Sequence, residues 1–436
     1  MPESLLFRDV RVLDPHSGRD ERVDVLVEKG LFARVGRDAG AGLTKGASLS
    51  VIEGRGRWLV PGFVDLHTHL REPGEEYKED IASGLRAAVA GGFVDVCAMA
   101  NTKPVNDTRA ITEAIVARGR EVGLARLHPI GAITRGLHGH ELTEVSDLRD
   151  AGAVALSDDG RCVTSSLVMR RALEYARTFD LPVIQHAEDH SLTEGAEMYE
   201  GAVSTRLGLR GWPRAAEDII VARDCILAEA AQARYHVAHL STHGAVRIVT
   251  EAKSRGLLVT AEVTPHHLLL TDAEVIGYRT ACKVNPPLRE EHDVRALRRA
   301  LADGTIDAIA TDHAPHARAD KDVEFSAARP GMIGLELCLP LLLDLVRDGS
   351  VPIMRLLAAL TLGPARVVGL PVPRLAEGMR ADAVLIDPEA RWNVGRATLK
   401  SKSMNTPFLG KEIVGAVDAT LVAGLLVHER VTEATT

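Results

Sequence analysis

The chain runs to 436 residues, more than one ordinary domain needs and enough for a large barrel with a smaller appended unit. Hydrophobic residues make up 46% and charged residues 26%, a globular balance, but aromatics are only 3%, so the core must rest on Ala, Val, Leu and Ile. The net charge of −8 argues against a nucleic-acid partner, which needs a basic footprint, and still allows a local basic pocket for a small anion.

Residues 1–57 read as strands joined by turns, with apolar runs at 5–13, 24–28 and 31–35. Lys29-Gly30 between the last two is a hairpin signal, and the Gly- and Ala-rich stretch 36–50 reads as a loop. Gly54-Arg55-Gly56 reads as a turn, because Leu59 stands where a dinucleotide fingerprint needs its third glycine. From residue 58 the pattern changes. Strand-like runs at 62–66, 94–99, 127–133, 153–156, 183–185, 234–238, 259–263 and 306–310 alternate with helical periodicity at 81–90, 111–117, 167–175, 216–230 and 294–301. Eight such alternations predict an α/β fold, a (β/α)8 TIM-like barrel over 58–365, with an open doubly wound sheet as the rival. The tail, 366–436, turns β-like again at 383–386, 412–417 and 419–427, punctuated by Gly410, Gly415 and Gly424. The β-rich ends are therefore expected to join in one small β-sandwich beside the barrel.

No part of the chain reads as membrane-spanning. The start carries Glu3, Arg8 and Asp9 around a short apolar patch and lacks a signal-peptide core. Stretch 335–346 is broken by Glu336, Pro340 and Asp344 and reads as a core helix. The five cysteines form no C-x-x-C pair, which points to reduced thiols and a cytoplasmic setting.

The chemistry begins at Asp65-Leu66-His67-Thr68-His69-Leu70-Arg71-Glu72-Pro73-Gly74. Histidines at i and i+2 on a strand point to one face, and at the C-terminal end of a barrel strand that face is the active-site mouth. An H-x-H pair alone is weak. Further candidates follow later strand runs: Asp158-Asp159-Gly160, His186, His239 and Asp312-His313-Ala314-Pro315-His316. Singly, each is a turn or a structural histidine. Together they make a one- or two-metal site the economical explanation.

These segments, with Asn101-Thr102-Lys103-Pro104, Ser157-Asp158-Asp159-Gly160, His239-Leu240-Ser241-Thr242 and Val284-Asn285-Pro286-Pro287-Leu288-Arg289, resemble the bacterial type I dihydroorotases of the amidohydrolase superfamily over nearly the whole chain. The family commonly has proline before the asparagine of the second segment, where this chain has Ala100. The resemblance implies a reversible cyclisation of N-carbamoyl-L-aspartate to L-dihydroorotate in pyrimidine biosynthesis, using metal-activated water and an aspartate acid/base. It implies that His67 and His69 bind one metal, Asp159 bridges, His186 and His239 bind the second, and Asp312 touches the first metal and is the catalytic acid and base. Arg71, Asn101 and His316 would hold the substrate carboxylate, and Asn285 with the Pro330-Gly331 backbone the ring.

Zinc (Zn2+), two ions favoured, suits the His-rich donors, although Mn or Co could serve. A homodimer and association with aspartate carbamoyltransferase are the partner expectations. One rival is a hydantoinase- or allantoinase-like enzyme. Those relatives bridge their metals with a carboxylated lysine, and residues 153–160 contain none. The other rival, a non-catalytic scaffold for the transferase, fits poorly with six ligand candidates present. His138 and His140 read as solvated, His236 as packed away from the site, His266-His267 as structural and Lys103 as surface charge. The stretches around His243 and at 318–322 are candidates for a loop closing over substrate.

Overall fold

The computed structural model describes residues 4–43 and 49–430. Eight parallel strands form the central sheet: β1 (Phe63–Thr68), β2 (Phe93–Ala98), β3 (Arg126–Gly131), β4 (Ala155–Leu156), β5 (Val183–Gln185), β6 (Tyr235–Val237), β7 (Val259–Val263) and β8 (Ala308–Ile309). Their order in the sheet is their order in the chain. The ring closes between β1 and the segment after β8. There Thr68 bridges His313, the His69 N–H donates to the His313 carbonyl at 2.9 Å, and Thr311 Oγ1 donates to Asp65 at 2.6 Å. The barrel predicted from alternating periodicity is therefore present, and the open sheet is not.

Parallel strands covered on both faces must be apolar on both, and β1 and β2 are buried at every position. Inward residues such as Leu66, Cys97, Ile130, Ile184 and Ala308 fill the barrel, with Val367 and Val368 in the same cluster. Outward residues pack on the helices in a larger cluster. The predicted helix 81–90 is present to the residue, and those at 111–117, 167–175, 216–230 and 294–301 extend to Arg109–Val122, Ser166–Arg177, Ala215–Ala231 and Glu291–Asp303. Asp80 caps Ile81–Ala90 by accepting from the Ser83 N–H, and Ser165 caps Ser166–Arg177. Stretch 335–346 yields a helix only from Cys338 to Arg347; Glu336 lies before it and accepts the N–H groups of Lys400 and Ser401.

Both chain ends join one hydrogen-bonded sheet, in the order Leu425–Glu429, Glu412–Val422, Ala383–Asn393, Trp58–Pro61, Ser4–Asp14, Arg19–Glu28, Leu31–Gly36, with Leu49–Glu53 also pairing on Ser4–Asp14. Phe7, Val25 and Phe32 from the first end share an apolar cluster with Ala383, Leu385 and Leu421 from the second, so the sheet folds over a core of its own. Trp58–Pro61 pairs with Ala383–Ile386 and with Arg11–Val12, so the terminal sheet reaches past residue 57.

Two details of the tail differ from the prediction. The break expected at Asp418 is a bulge inside the single strand Glu412–Val422, and the turn falls at Ala423-Gly424, both with positive φ. Gly415 lies within that strand rather than in a turn. A Cβ there would meet Leu343 Cδ1 at 2.5 Å, so the glycine admits the helix Cys338–Arg347. The predicted loop 36–50 ends in the strand Leu49–Glu53, and residues 44–48 lie outside the described residues. The Lys29-Gly30 hairpin is present, with φ of 51° and 80°.

Candidate metal centre and active site

All six ligand candidates converge at the C-terminal mouth of the barrel. His67 lies in β1 and His69 just beyond it, while Asp159, His186, His239 and Asp312 follow β4, β5, β6 and β8. His67, Asp159 and His239 bring ligand atoms within 4.8 Å of one another, as do His67, His69 and Asp312, and all are buried. Asp159 is the hub. Its Oδ1 lies 3.3 Å from His67 Nε2 and 3.6 Å from both His186 Nδ1 and His239 Nε2, and its Oδ2 lies 3.5 Å from His69 Nε2. Asp312 Oδ1 lies 3.1 Å from His69 Nε2 and 3.7 Å from His67 Nε2. Burial opposes ionisation of both aspartates, but the surrounding imidazoles outweigh it and hold both below the usual carboxylate range.

The histidine rings are oriented from behind. His67 Nδ1 faces Glu262 Oε1 at 3.0 Å, His69 Nδ1 faces Asn101 Oδ1 at 2.9 Å, and His186 Nε2 faces Glu188 Oε2 at 3.1 Å. Each acceptor takes that ring's N–H, which directs the other nitrogen's lone pair into the cluster. His186 Nδ1 and His239 Nε2 then meet at 2.8 Å. His67 Nε2 and Asp159 Oδ1 are fully buried and make no hydrogen bond among the described residues. Buried polar atoms are rarely left so, and two imidazole lone pairs beside a carboxylate are a donor set for a divalent cation. The residues fit a metal.

Glu262 and Glu188 were not singled out in the sequence. Glu262 sits inside the apolar strand β7 at 0% exposure, and a carboxylate in the middle of a buried strand was the available signal. His236, expected to pack away from the site, instead reaches Glu262 Oε2 at 3.2 Å from inside the barrel. Burial opposes its ionisation, but the hydrogen bonds and charges of His236 and His67 outweigh it and pull the Glu262 carboxyl down to about 2. His267 is structural, between Thr264 Oγ1 and the Pro286 carbonyl.

A cavity of about 490 Å³ opens above the cluster and carries Arg71, Lys78, Lys103, Arg161 and Arg329 on its wall. Arg71, in a left-handed backbone with φ of 62°, is fixed by Nε donating to the Pro315 carbonyl at 3.1 Å. His239 and Asp312 also have positive φ, so uncommon backbone geometry gathers at this mouth. His316 Nε2 donates to the Pro330 carbonyl at 2.8 Å and lies 3.5 Å from Arg71 Nη2. Burial, with Arg71 beside it, pushes this imidazole down to about 2, so it is neutral.

Asn285 lines the same cavity and donates to Glu188 at 3.4 Å. Asn101 lines it too, with its amide joining His69 to Asp159 Oδ2 at 3.2 Å. The Gly331 N–H donates to the Lys283 carbonyl at 2.8 Å, and a Cβ on Gly331 would meet Ala314 Cβ at 2.7 Å. The stretch 318–322, one candidate for a loop closing over substrate, contains the helix Arg318–Lys321, anchored by Lys321 Nζ on three carbonyls. Lys103, expected at the surface, is exposed and paired with Glu75.

The family model described as dihydro-orotase-like matches residues 56–245. A dihydroorotase of Anaeromyxobacter dehalogenans (strain 2CP-1) is 54% identical, the match covering 98% of this chain and 99% of that protein. One from Pelobacter propionicus is 52% identical over 98% of this chain and 100% of its own. The chain belongs to the dihydroorotase family. Among solved structures, the L-hydantoinase (dihydropyrimidinase) of Arthrobacter aurescens superposes with a TM-score of 0.86 at 23% identity, covering 98% of this chain and 96% of its own. The dihydropyrimidinase of Brevibacillus agri gives 0.80 at 22%, covering 97% and 94%. At such identities the likeness establishes the barrel fold and leaves the substrate to the family evidence.

Proposed function

We propose that the chain is a dihydroorotase that reversibly cyclises N-carbamoyl-L-aspartate to L-dihydroorotate, of the type I subdivision. The observation that carries this reading is the convergence of His67, His69, Asp159, His186, His239 and Asp312 beneath a cation-lined cavity, in a chain of this family. His67 and His69 would hold one zinc with Asp312, His186 and His239 a second, and Asp159 would bridge. An aspartate in that position, with no lysine in 153–160, supports the type I assignment. When bound, such metals lower the pKa of water and polarise a carbonyl oxygen.

Asp312 would take a proton from the attacking water at the ring carbonyl and deliver it to the departing amide nitrogen; in biosynthesis the transfers reverse. Arg71 offers a planar fork to the substrate carboxylate, pre-set by its hold on Pro315. Neutral His316 and Asn101 border the same end, and Asn285 with Pro330 and Gly331 forms the wall for the ring. The five buried free cysteines suit a reducing cytoplasm, and no helix among the described residues is long and apolar enough to cross a membrane. A homodimer and docking to aspartate carbamoyltransferase belong to the same proposal and are read by sedimentation with and without the transferase.

The test offers zinc-supplemented protein L-dihydroorotate, hydantoin and allantoin in parallel and follows ring absorbance. Selective loss of dihydroorotate, abolished by a chelator, is expected. Preference for hydantoin or allantoin, or no turnover with metal bound, would overturn the assignment.

A further inference from the structure

The part of the cavity wall formed by Ala314, His316, Pro330 and Gly331 is held by a segment that none of the motifs includes. After the strand Ala383–Asn393 the chain leaves the terminal sheet and crosses to the barrel mouth before returning as Glu412–Val422. Along this crossing Ser401 Oγ and the Lys402 N–H bind Glu79, the Lys400 and Ser401 N–H groups bind Glu336, and Ser403 Oγ donates to the Lys78 carbonyl at 2.8 Å. At its far end sits Asn405, 7% exposed. Its Oδ1 accepts the His316 N–H at 3.0 Å, and its Nδ2 donates to the carbonyls of Ala314 at 2.9 Å and Gly331 at 3.1 Å. Its own carbonyl accepts the Ile333 N–H at 3.1 Å.

One amide thus ties together the two loops that carry His316 and Pro330-Gly331, and the first of them also holds Arg71 through Pro315. The Gly331 carbonyl is gripped a second time by Lys321 Nζ at 3.0 Å, which also binds the Arg329 carbonyl at 2.8 Å and that of Lys283 at 3.3 Å. A primary amide is the side chain that can accept from one N–H while donating to two carbonyls; a carboxylate of the same shape would face both carbonyls without a proton to give.

We infer that Asn405, seconded by Lys321, is a positioning residue for substrate, setting the spacing between the Arg71–His316 end of the cavity and the Pro330–Gly331 wall. The inference rests on the dihydroorotase reading, because that reading makes this wall the substrate's seat. Asn405 itself lies behind the loops it joins and is not among the residues lining the cavity. Loss of its hydrogen bonds should therefore loosen substrate placement while leaving in place the ligands that follow other strands, His67, His69, Asp159, His186 and His239, with Asp312 held by its own contact to His69 at 3.1 Å.

The test compares zinc-loaded wild type with Asn405→Asp for KM and kcat on L-dihydroorotate, bound metal per chain and thermal midpoint. A KM raised on the order of tenfold is expected, with metal content and kcat close to wild type, since a loosened anchor for the substrate's non-reacting end loses binding equally in ground and transition states, by about the worth of one hydrogen bond. An unchanged KM in a folded variant would overturn the inference alone. So would a parallel loss of metal and kcat, which is what a merely structural role gives. A wild type without activity on dihydroorotate would overturn the functional reading and this inference with it. Should Asn405→Asp not fold, Lys321→Met removes the other donor to Gly331 from a different element. It must show the same separation of KM from kcat, and an unchanged KM there counts against the inference in the same way.

Discussion

Glu262 offers the sharpest test of how the barrel prepares its metal ligands. It makes no contact that would place it in a metal's own coordination, yet Oε1 receives His67 Nδ1 at 3.0 Å, Oε2 receives His236 Nε2 at 3.2 Å, and the His239 N–H approaches Oε1 at 3.4 Å. Glu262→Gln is nearly isosteric. The amide oxygen can still accept from His67, and His236 can change tautomer because its other nitrogen faces Thr260 Oγ1, a hydroxyl able to donate or accept. The substitution therefore removes a buried negative charge with little change in connectivity. That charge raises the basicity of His67 and stabilises positive charge at the cluster, and loss of such support costs roughly 10- to 100-fold in metal affinity, about 1.4 to 2.7 kcal/mol. The assay is competition against a fluorescent chelator on folded, metal-stripped protein. Turnover is measured at saturating zinc, where most activity should return. Affinity within about twofold of wild type would refute the reasoning, because it would show that the negative charge of Glu262 does not raise the basicity of His67.

Asp312→Asn should lower kcat by roughly 100-fold or more while most of the metal stays bound, as proton transfer is lost; near-full turnover would sink its role. Arg71→Lys should raise KM about 10-fold or more through loss of the planar fork, and a fall in kcat alone would show that Arg71 is not the anchor. Asp95 binds Arg126 at 2.7 Å and His128 at 2.8 Å, and Arg126 also binds Asp382 of the terminal sheet at 2.9 Å. Burial opposes its charge, but His128 and Arg126 bring the carboxyl down from 3.8 to about 2. A depressed folded pKa stabilises above the unfolded value and is lost as pH falls through the folded one. Asp95→Asn should therefore cost about 2 kcal/mol at pH 7. The gap to wild type should narrow between about pH 4 and 2, read by denaturant unfolding of metal-stripped protein. A gap that stays constant over that range would rule the linkage out.

How much of this was legible in the sequence depends on where each group sits along its element. Strands β5 and β7 were readable to the residue because both are short, mostly apolar segments between helical stretches, and the ligands fell at strand ends, His67 penultimate in β1 and the others one to three positions beyond their strands, at the C-terminal mouth of the barrel. His236 misled because spacing from His239 was counted as if the strand continued, whereas β6 ends at Val237 and His239 adopts φ of 31°. A local change of backbone hand erases the period-two rule just where chemistry is placed. Glu262 could have been found by asking why an apolar strand tolerates a carboxylate, since a buried charge needs partners, and His67 and His236 supply them. Asn405 had no such signal. Its segment has neither helical nor strand periodicity, and the partners of its side chain lie 74 to 91 residues away in sequence. What selects an amide there is the joint hydrogen-bonding need of two loops, a property of the closed barrel mouth rather than of any stretch of chain.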